Sequence, residues 1–208
     1  MLRSPSGPRS PAIAGADGAS STAMVAHGAH ARARGCARYL SDMSDSPAHT
    51  LRGLAAQYAE QVRLALGDRL VSIVLFGSVA RGDPSPTSDL DLLIVARDLP
   101  TGQFARKRLL QAADAAFEPA LVAAERQGIE TRLARIVRTP QEAARPIPLY
   151  LDLTEDAVLL YDADGFFAAV LDRLRASLRR LGSRRIREGR HWYWDLKPDF
   201  RRGDVIEL

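Results

Sequence analysis

The first regular pattern along the chain is a helical spacing of apolar residues. Ser46 is a residue type that caps helices, and Pro47 is favoured at the first helical position. From there, apolar side chains return every three or four residues until Gly67, a residue type that commonly ends helices. The pattern predicts a helix with one buried face, formed by Leu51, Leu54, Tyr58, Val62 and Leu66.

Short apolar runs predict the strands. Residues 70–76 read LVSIVLF, which is typical of a buried strand, and residues 90–96 form a second such run. Between them, residues 82–86 have the glycine, aspartate, serine and proline content of a turn. We expect a third strand over residues 129–138 and a fourth over residues 157–161.

Further helices are expected between and after these strands. Thr101 can cap a long helix that continues to about residue 127, and Pro119 should kink or split it. Its apolar positions are Phe104, Leu109, Ala113, Phe117, Ala120 and Ala124. The residues from Thr139 to Glu142 have the form of a capping box. Asp164 is expected to cap a last helix with apolar positions Phe167, Val170, Leu171, Leu174, Leu178 and Leu181.

This order of elements predicts one α/β (α+β) domain, with a small mixed β-sheet flanked by helices. Residues 1–45 have no apolar period and are rich in Ala, Gly, Ser, Pro and Arg. We expect them to be a disordered tail or the product of a misplaced start codon. Residues 46–161 form the expected domain. Residues 162–208 are expected to add a helix and a basic, aromatic extension that packs on it.

Composition excludes several classes of protein. No run reaches eighteen apolar residues, so a transmembrane helix is not expected. The single cysteine, Cys36, excludes a disulfide framework and a cysteine-based zinc site. No continuous apolar stretch near the start has the form of a secretory signal, and we therefore expect a cytoplasmic protein.

The net charge of +4 is unevenly distributed. Residues 1–42 hold five arginines and two aspartates, a net charge of +3. The other 166 residues hold 24 basic and 23 acidic side chains, a net charge of +1. The overall basicity therefore says little about what the folded part binds.

The residues with the clearest chemistry lie around the first two predicted strands. Gly77 ends the first strand, where a missing side chain lets a bulky anion approach the backbone, and Ser78 adds a hydroxyl donor. The next residues could begin a short helix, whose N-terminus favours phosphate. Asp89 and Asp91 lie two residues apart, a spacing that places side chains on one face of a strand.

Two carboxylates on one face repel each other unless a cation lies between them. Magnesium prefers oxygen ligands and keeps coordination positions for water and phosphate. A pair of aspartates on a strand can also be a solvated edge. The neighbouring Gly77-Ser78 turn favours Mg²⁺-dependent phosphoryl chemistry on a nucleotide instead.

Gly77-Ser78-(x2)-Arg81-Gly82, followed by Ser88-Asp89-(x)-Asp91, resembles the signature of the DNA-polymerase-β-type nucleotidyltransferases, and in particular the small minimal nucleotidyltransferase domains. The resemblance implies a polymerase-β-like fold. It also implies transfer of a nucleoside monophosphate, expected to be AMP from ATP, to a hydroxyl of a protein, RNA or small molecule.

The same resemblance assigns roles to single residues. Gly77 and Ser78 would contact the β and γ phosphates, and Asp89 and Asp91 would be catalytic and ligate Mg²⁺, with two ions expected. Arg81 would be a phosphate-binding or structural arginine near the turn. Ser88 would cap the start of the second strand.

The family usually has a third carboxylate, on the strand after the long helix, that acts as general base and metal ligand. Aligning the end of that strand on Thr139-Pro140 places Ala134 near this position. Glu130 and Asp152 are alternative candidates, and the base could also be absent. Minimal members commonly work beside a separate helical HEPN-domain protein as antitoxins. The resemblance therefore also allows a regulatory binding module with little turnover.

Basic and aromatic residues occur together near the C-terminus. Such a cluster can clamp single-stranded nucleic acid. It can also be a solvated helix end, where cations favour the helix dipole, with aromatics packed on the body. Alternation of Trp192 and Trp194 indicates an extended segment with one face covered. The cluster comprises Arg179, Arg180, Arg184, Arg185, Arg187 and Arg190, followed by His191, Trp192, Tyr193 and Trp194.

Overall fold

The computed structural model describes residues 46–189 and 191–208. The expected tail, residues 1–45, and Arg190 of the basic cluster lie outside the described residues. The boundaries proposed for the tail, the domain and the extension remain predictions.

The predicted order of helices and strands is largely confirmed. The helices are α1 (Pro47–Leu66), α2 (Gly77–Arg81), α3 (Gln103–Arg108), α4 (Gln111–Glu125), α5 (Pro140–Ala143), α6 (Pro148–Asp156) and α7 (Phe166–Leu181). The strands are β1 (Leu70–Phe76), β2 (Leu90–Ala96), β3 (Leu133–Arg138), β4 (Val158–Asp162), β5 (Arg184–Glu188) and β6 (His191–Asp195). No helix of the described residues has the length and apolar character needed to cross a membrane.

The strands of the described residues form two sheets. The larger has the order β3-β2-β1-β4, in which β1 runs antiparallel to β2 and β4, and β2 runs parallel to β3. The smaller is the antiparallel β5–β6 hairpin. The fold class is therefore the predicted α/β (α+β) domain with a mixed sheet.

The larger sheet is covered on both faces. Helices α1 and α4 cover one face, where Tyr58 and Phe117 meet edge to face with ring centroids 5.1 Å apart. Helices α6 and α7 cover the other, where Tyr150 and Phe167 have centroids 5.3 Å apart. Strand β2 lies between these layers, and its apolar residues are fully buried on both faces.

The long helix expected from Thr101 is two helices, α3 and α4, and the break falls at residues 109–110 instead of at Pro119. The two segments are held by different contacts. Arg106 in α3 bonds to the Val137 carbonyl and the Glu142 carboxylate, whereas α4 is held by the buried ring of Phe117. Phe104 does not join the core, because its side chain is 88% exposed.

The cap expected at Asp164 is wrong. Asp164 and Gly165 both have left-handed backbone angles, whereas a capping residue normally has extended ones. Asp162 accepts the backbone N–H groups of Phe167 and Ala168 instead, at 2.9 and 3.0 Å. The capping box at residues 139–142 is confirmed, with both reciprocal hydrogen bonds present.

Candidate active site

The candidate site lies where β1 ends and β2 begins. Phe76 pairs with Asp91 across the two antiparallel strands, so Gly77, the next residue, lies against the Asp91 side chain. Asp89 stands directly before β2 and is exposed, whereas Asp91 is half-buried. The pairing of the strands therefore brings together Gly77 and both predicted carboxylates.

The position of Gly77 permits no side chain. Its φ is +73°, a left-handed value, and a Cβ at this position would lie 2.1 Å from Oδ2 of Asp91. The role predicted for Gly77 was close approach of an anion to the backbone. The structure adds a second reason, because only glycine leaves room for the Asp91 carboxylate.

The negative charges of the two carboxylates are only partly compensated by neighbouring groups. Burial raises the pKa of the Asp91 carboxyl above its usual value, the neighbouring Asp89 charge raises it further, and Arg81 lowers it. Neither aspartate side chain has a hydrogen-bond or ion-pair partner among the described residues. Oxygen ligands without a partner, beside a backbone cradle that excludes a Cβ, fit a hard divalent cation.

Helix α2 begins at Gly77, and a residue outside the predicted motif holds it in place. Ser78 is its second residue, and Gly82 ends it with a left-handed φ of +84°. Arg52 of α1 donates to the carbonyl oxygens of Val79 and Ala80, at 3.2 and 3.1 Å. The sequence did not point to Arg52, because the cap and the apolar spacing that predict helix α1 give no information about its polar residues.

Arg81, the last residue of α2, points to the C-terminal hairpin. Its guanidinium carbon lies 4.9 Å from the centre of the Trp192 ring, and its Nε lies 3.4 Å from a carboxylate oxygen of Asp83. That Nε atom is buried and has no hydrogen-bond partner in the described part of the chain. The Arg81 side chain is still 25% exposed, so its other guanidinium nitrogens remain accessible next to the site.

Ser88 shapes the loop before β2. Its hydroxyl accepts the backbone N–H of Ser85 at 2.9 Å, and its carbonyl accepts the Thr131 hydroxyl at 2.8 Å. These bonds tie the loop to the segment before β3. They are consistent with a capping role at the start of β2.

The structure clarifies the question of the third carboxylate. In the parallel pair of β2 and β3, Ala134 is the partner of Asp91, so the neighbouring strand has no carboxylate at that position. Glu130 precedes β3, outside the strand that was expected to contain it, and lines an open cleft of about 440 Å³ with Asp89. Glu118 and Glu125 of α4 line the same cleft.

Asp152 is already engaged in binding the hairpin. The indole N–H groups of Trp192 and Trp194 both donate to its Oδ1 at 3.0 Å, which confirms that the two rings share a covered face. Arg185 pairs with Asp156 at 2.7 Å, one turn further along α6. Asp152 is thus a docking residue for the β5–β6 hairpin, and Glu130 remains the candidate base.

The family model of the nucleotidyltransferase domain matches residues 59–142, a segment that contains every residue of the predicted motif. The C-terminal hairpin lies outside this match.

Two proteins of Methanocaldococcus jannaschii are similar to the chain. The one named "Putative protein adenylyltransferase MJ1305" is 28% identical over 144 residues, which are 68% of this chain and 92% of that protein. The one named "Putative protein adenylyltransferase MJ0141" is 40% identical over 45 residues, 22% of this chain and 46% of the relative.

Among solved structures, one described as a toxin–antitoxin with AMP-PNP is 16% identical to the chain. The match covers 61% of this chain and 92% of that one, with a TM-score of 0.38. The segment that matches this family model contains the residues that the junction of β1 and β2 brings together, Gly77, Asp89 and Asp91.

Proposed function

We propose that this protein transfers AMP from ATP to a hydroxyl group of a protein. The observation that carries the proposal is the contact between Gly77 and Asp91. Only glycine leaves room there for the Asp91 carboxylate, and a second carboxylate, Asp89, lies nearby. Two neighbouring carboxylates suit metal-assisted nucleotide chemistry. The choice of AMP and of a protein acceptor is supported by the names of the two archaeal relatives.

Different residues of the site would bind the metal ion and the phosphates. Asp89 and Asp91 would hold Mg²⁺, which supplies neutralisation of phosphate charge and a lower pKa for the attacking hydroxyl. The backbone at Gly77 and the Ser78 hydroxyl would bind phosphate oxygens of ATP. The partly exposed guanidinium of Arg81 would add a positive charge near the leaving pyrophosphate.

The acceptor hydroxyl would enter beside Asp89. Glu130 lines the cleft that opens there, so it can take the proton from the hydroxyl as a general base. We propose that the acceptor hydroxyl belongs to a separate polypeptide, because the two archaeal relatives are named protein adenylyltransferases, and a HEPN-domain protein is one candidate.

A second candidate function is a regulatory module that binds nucleotide and a partner with little turnover. The observation that favours it is Ala134, the residue beside Asp91 where a carboxylate base would stand. Loss of general base assistance typically slows a reaction about 10²–10⁴-fold.

The test is transfer of label from ATP carrying radioactive phosphorus at the α position. Purified protein with Mg²⁺ should label a protein in a cell extract, and Asp89→Asn and Asp91→Asn should each abolish the label. Asp98→Asn is the matched control, since Asp98 is exposed, lies beyond the far end of β2, and has a positive φ that Asn tolerates.

Two results would contradict the proposal. Label that persists in Asp91→Asn would refute the metal assignment. Tight Mg²⁺-dependent ATP binding without any labelled acceptor would favour the regulatory module.

A further inference from the structure

The C-terminal extension differs in charge from the rest of the folded chain. Residues 46–161 hold 13 basic and 14 acidic side chains, a net charge of −1, whereas residues 162–208 hold 11 basic and eight acidic ones, a net charge of +3. The nucleotide that the domain must bind carries several negative charges. The cations that could balance them are concentrated outside the family domain.

The hairpin presents some of these cations next to the site. In the β5–β6 pairing, Arg185 is opposite Trp194 and Arg187 is opposite Trp192, so these four side chains share one face. This is the face that docks on Asp152. It therefore turns Arg185 and Arg187 towards the domain and leaves Arg184 on the other face.

An open cleft of about 350 Å³ separates this face of the hairpin from α2, and its volume is in the range of small-molecule sites. Arg81 and Asp83 line it from one side, Arg185, Arg187 and Trp192 line it from the other, and Asp156 of α6 completes the lining. Arg81 lines this cleft and also ends helix α2, which begins at Gly77, so the cleft adjoins the carboxylate site.

The cations in the cleft are not equally available. Arg185 pairs with Asp156 at 2.7 Å, and its guanidinium lies 4.5 Å from the centre of the Trp192 ring. Arg187 is exposed, and its Nε donates to the Gly189 carbonyl, with no carboxylate partner among the described residues. Arg187 and the guanidinium of Arg81, whose side chain is 25% exposed, are thus the cations that an anion could engage.

We propose that the hairpin completes the nucleotide site and that Arg187, with Arg81, binds the β and γ phosphates of the donor nucleotide. This inference rests on the proposed function, because it assumes that the site accepts a nucleoside triphosphate. Arg187 is a binding residue here, and Trp192 and Asp152 are positioning residues that hold the hairpin against α2.

The experiment measures binding of ATP, AMP and pyrophosphate by calorimetry with Mg²⁺ present. Arg187→Ala should weaken ATP and pyrophosphate binding about 10-fold, the effect of losing one charge-assisted hydrogen bond at a partly exposed site, and should leave AMP binding unchanged. Arg184→Ala is the matched control. It removes the same charge from the same strand but from the opposite face, and should weaken binding less than about 2-fold.

A second measurement uses the only two tryptophans of the chain, which both lie in the hairpin. Pyrophosphate should change their fluorescence in the unmodified protein and in Arg184→Ala, and not in Arg187→Ala. Equal ATP affinities for the two arginine variants, or an equal loss for AMP and ATP, would overturn the assignment. So would a loss of single-stranded RNA binding in Arg187→Ala with unchanged ATP affinity, since the cleft would then hold a nucleic-acid acceptor.

The same titrations separate the two proposals. If the unmodified chain binds neither ATP nor pyrophosphate, the proposed function fails, and the inference about the hairpin fails with it. If the unmodified chain and Arg187→Ala bind ATP equally, only the role of the hairpin is refuted.

Discussion

Replacing Gly77 with alanine tests the geometry on which the site depends. The new Cβ would lie 2.1 Å from Oδ2 of Asp91, 3.0 Å from its Cγ and 3.3 Å from its Cβ, at a backbone φ of +73°. The left-handed backbone costs a residue with a Cβ about 1–2 kcal/mol. Overpacking against the carboxylate adds about 1–3 kcal/mol. The free energy of unfolding should therefore fall by about 2–5 kcal/mol, and Mg²⁺-dependent ATP binding should be lost.

Two other glycines separate these contributions. Gly128 has a φ of +80° with nothing within 4 Å of an added Cβ, so Gly128→Ala should show the backbone cost alone, about 1–2 kcal/mol. Gly53 lies inside α1 with open space around it, and Gly53→Ala should stabilise the protein by about 0.5–1 kcal/mol. Urea unfolding of the three variants gives all three values.

A double-mutant cycle then identifies the cause. In an Asp91→Ala background the carboxylate is gone, and the nearest remaining contact of the new Cβ is 3.3 Å. The cost of Gly77→Ala should therefore drop towards that of Gly128→Ala, a coupling of about 1–3 kcal/mol between the two positions. A Gly77→Ala variant that unfolds like Gly128→Ala, with no coupling to Asp91, would refute this account of the site.

Two further predictions concern other carboxylates. Hydrogen bonds from Arg106 lower the pKa of Glu142 to about 2. Ionised Glu142 thus stabilises the fold above its ordinary pKa of 4.5, and this is lost as the pH falls towards 2. Because the side chain is 41% exposed, Glu142→Gln should remove only about 1 kcal/mol of that acid dependence in unfolding measured from pH 5 to pH 2. Glu130→Gln should slow transfer about 100-fold without changing ATP affinity, whereas Asp152→Asn should loosen the hairpin and spare the chemical step; unchanged rates in Glu130→Gln would mean that the acceptor supplies the base.

The parts of the fold that could be predicted depend on local signals. The cap at Ser46 and the capping box at residues 139–142 each need only a few neighbouring residues, and both are confirmed. The cap of α7 failed because Asp162 and Asp164 are both suitable residue types. The choice between them is set by backbone angles and by Ser72, which donates to Asp162 from β1 at 2.6 Å.

Contacts distant in sequence were beyond prediction. The support of α2 by Arg52 joins residues 27 and 28 positions apart, and the docking of Trp192 on Asp152 spans 40 positions. The net charge of +1 beyond residue 42 also hid an uneven distribution of charge along the chain. The +1 found beyond residue 42 combines a domain of nearly balanced charge, residues 46–161, with a basic segment, residues 162–208. The fold places arginines of that segment in a cleft beside Arg81.

The precision of the carboxylate site comes from apolar contacts. No polar partner among the described residues holds Asp89 or Asp91, so the pairing of β2 with β1 must fix their position. Leu90 and Leu92 pack in the α1 and α4 layer, and Leu93 packs in the α6 and α7 layer, on the same side of the strand as Asp91. A one-residue slip of β2 would turn Asp91 into the first layer and bury a charge among apolar side chains, a far larger cost than the repulsion between two half-hydrated carboxylates. The buried leucines therefore hold two mutually repelling groups together, which is the condition for a site that binds a cation.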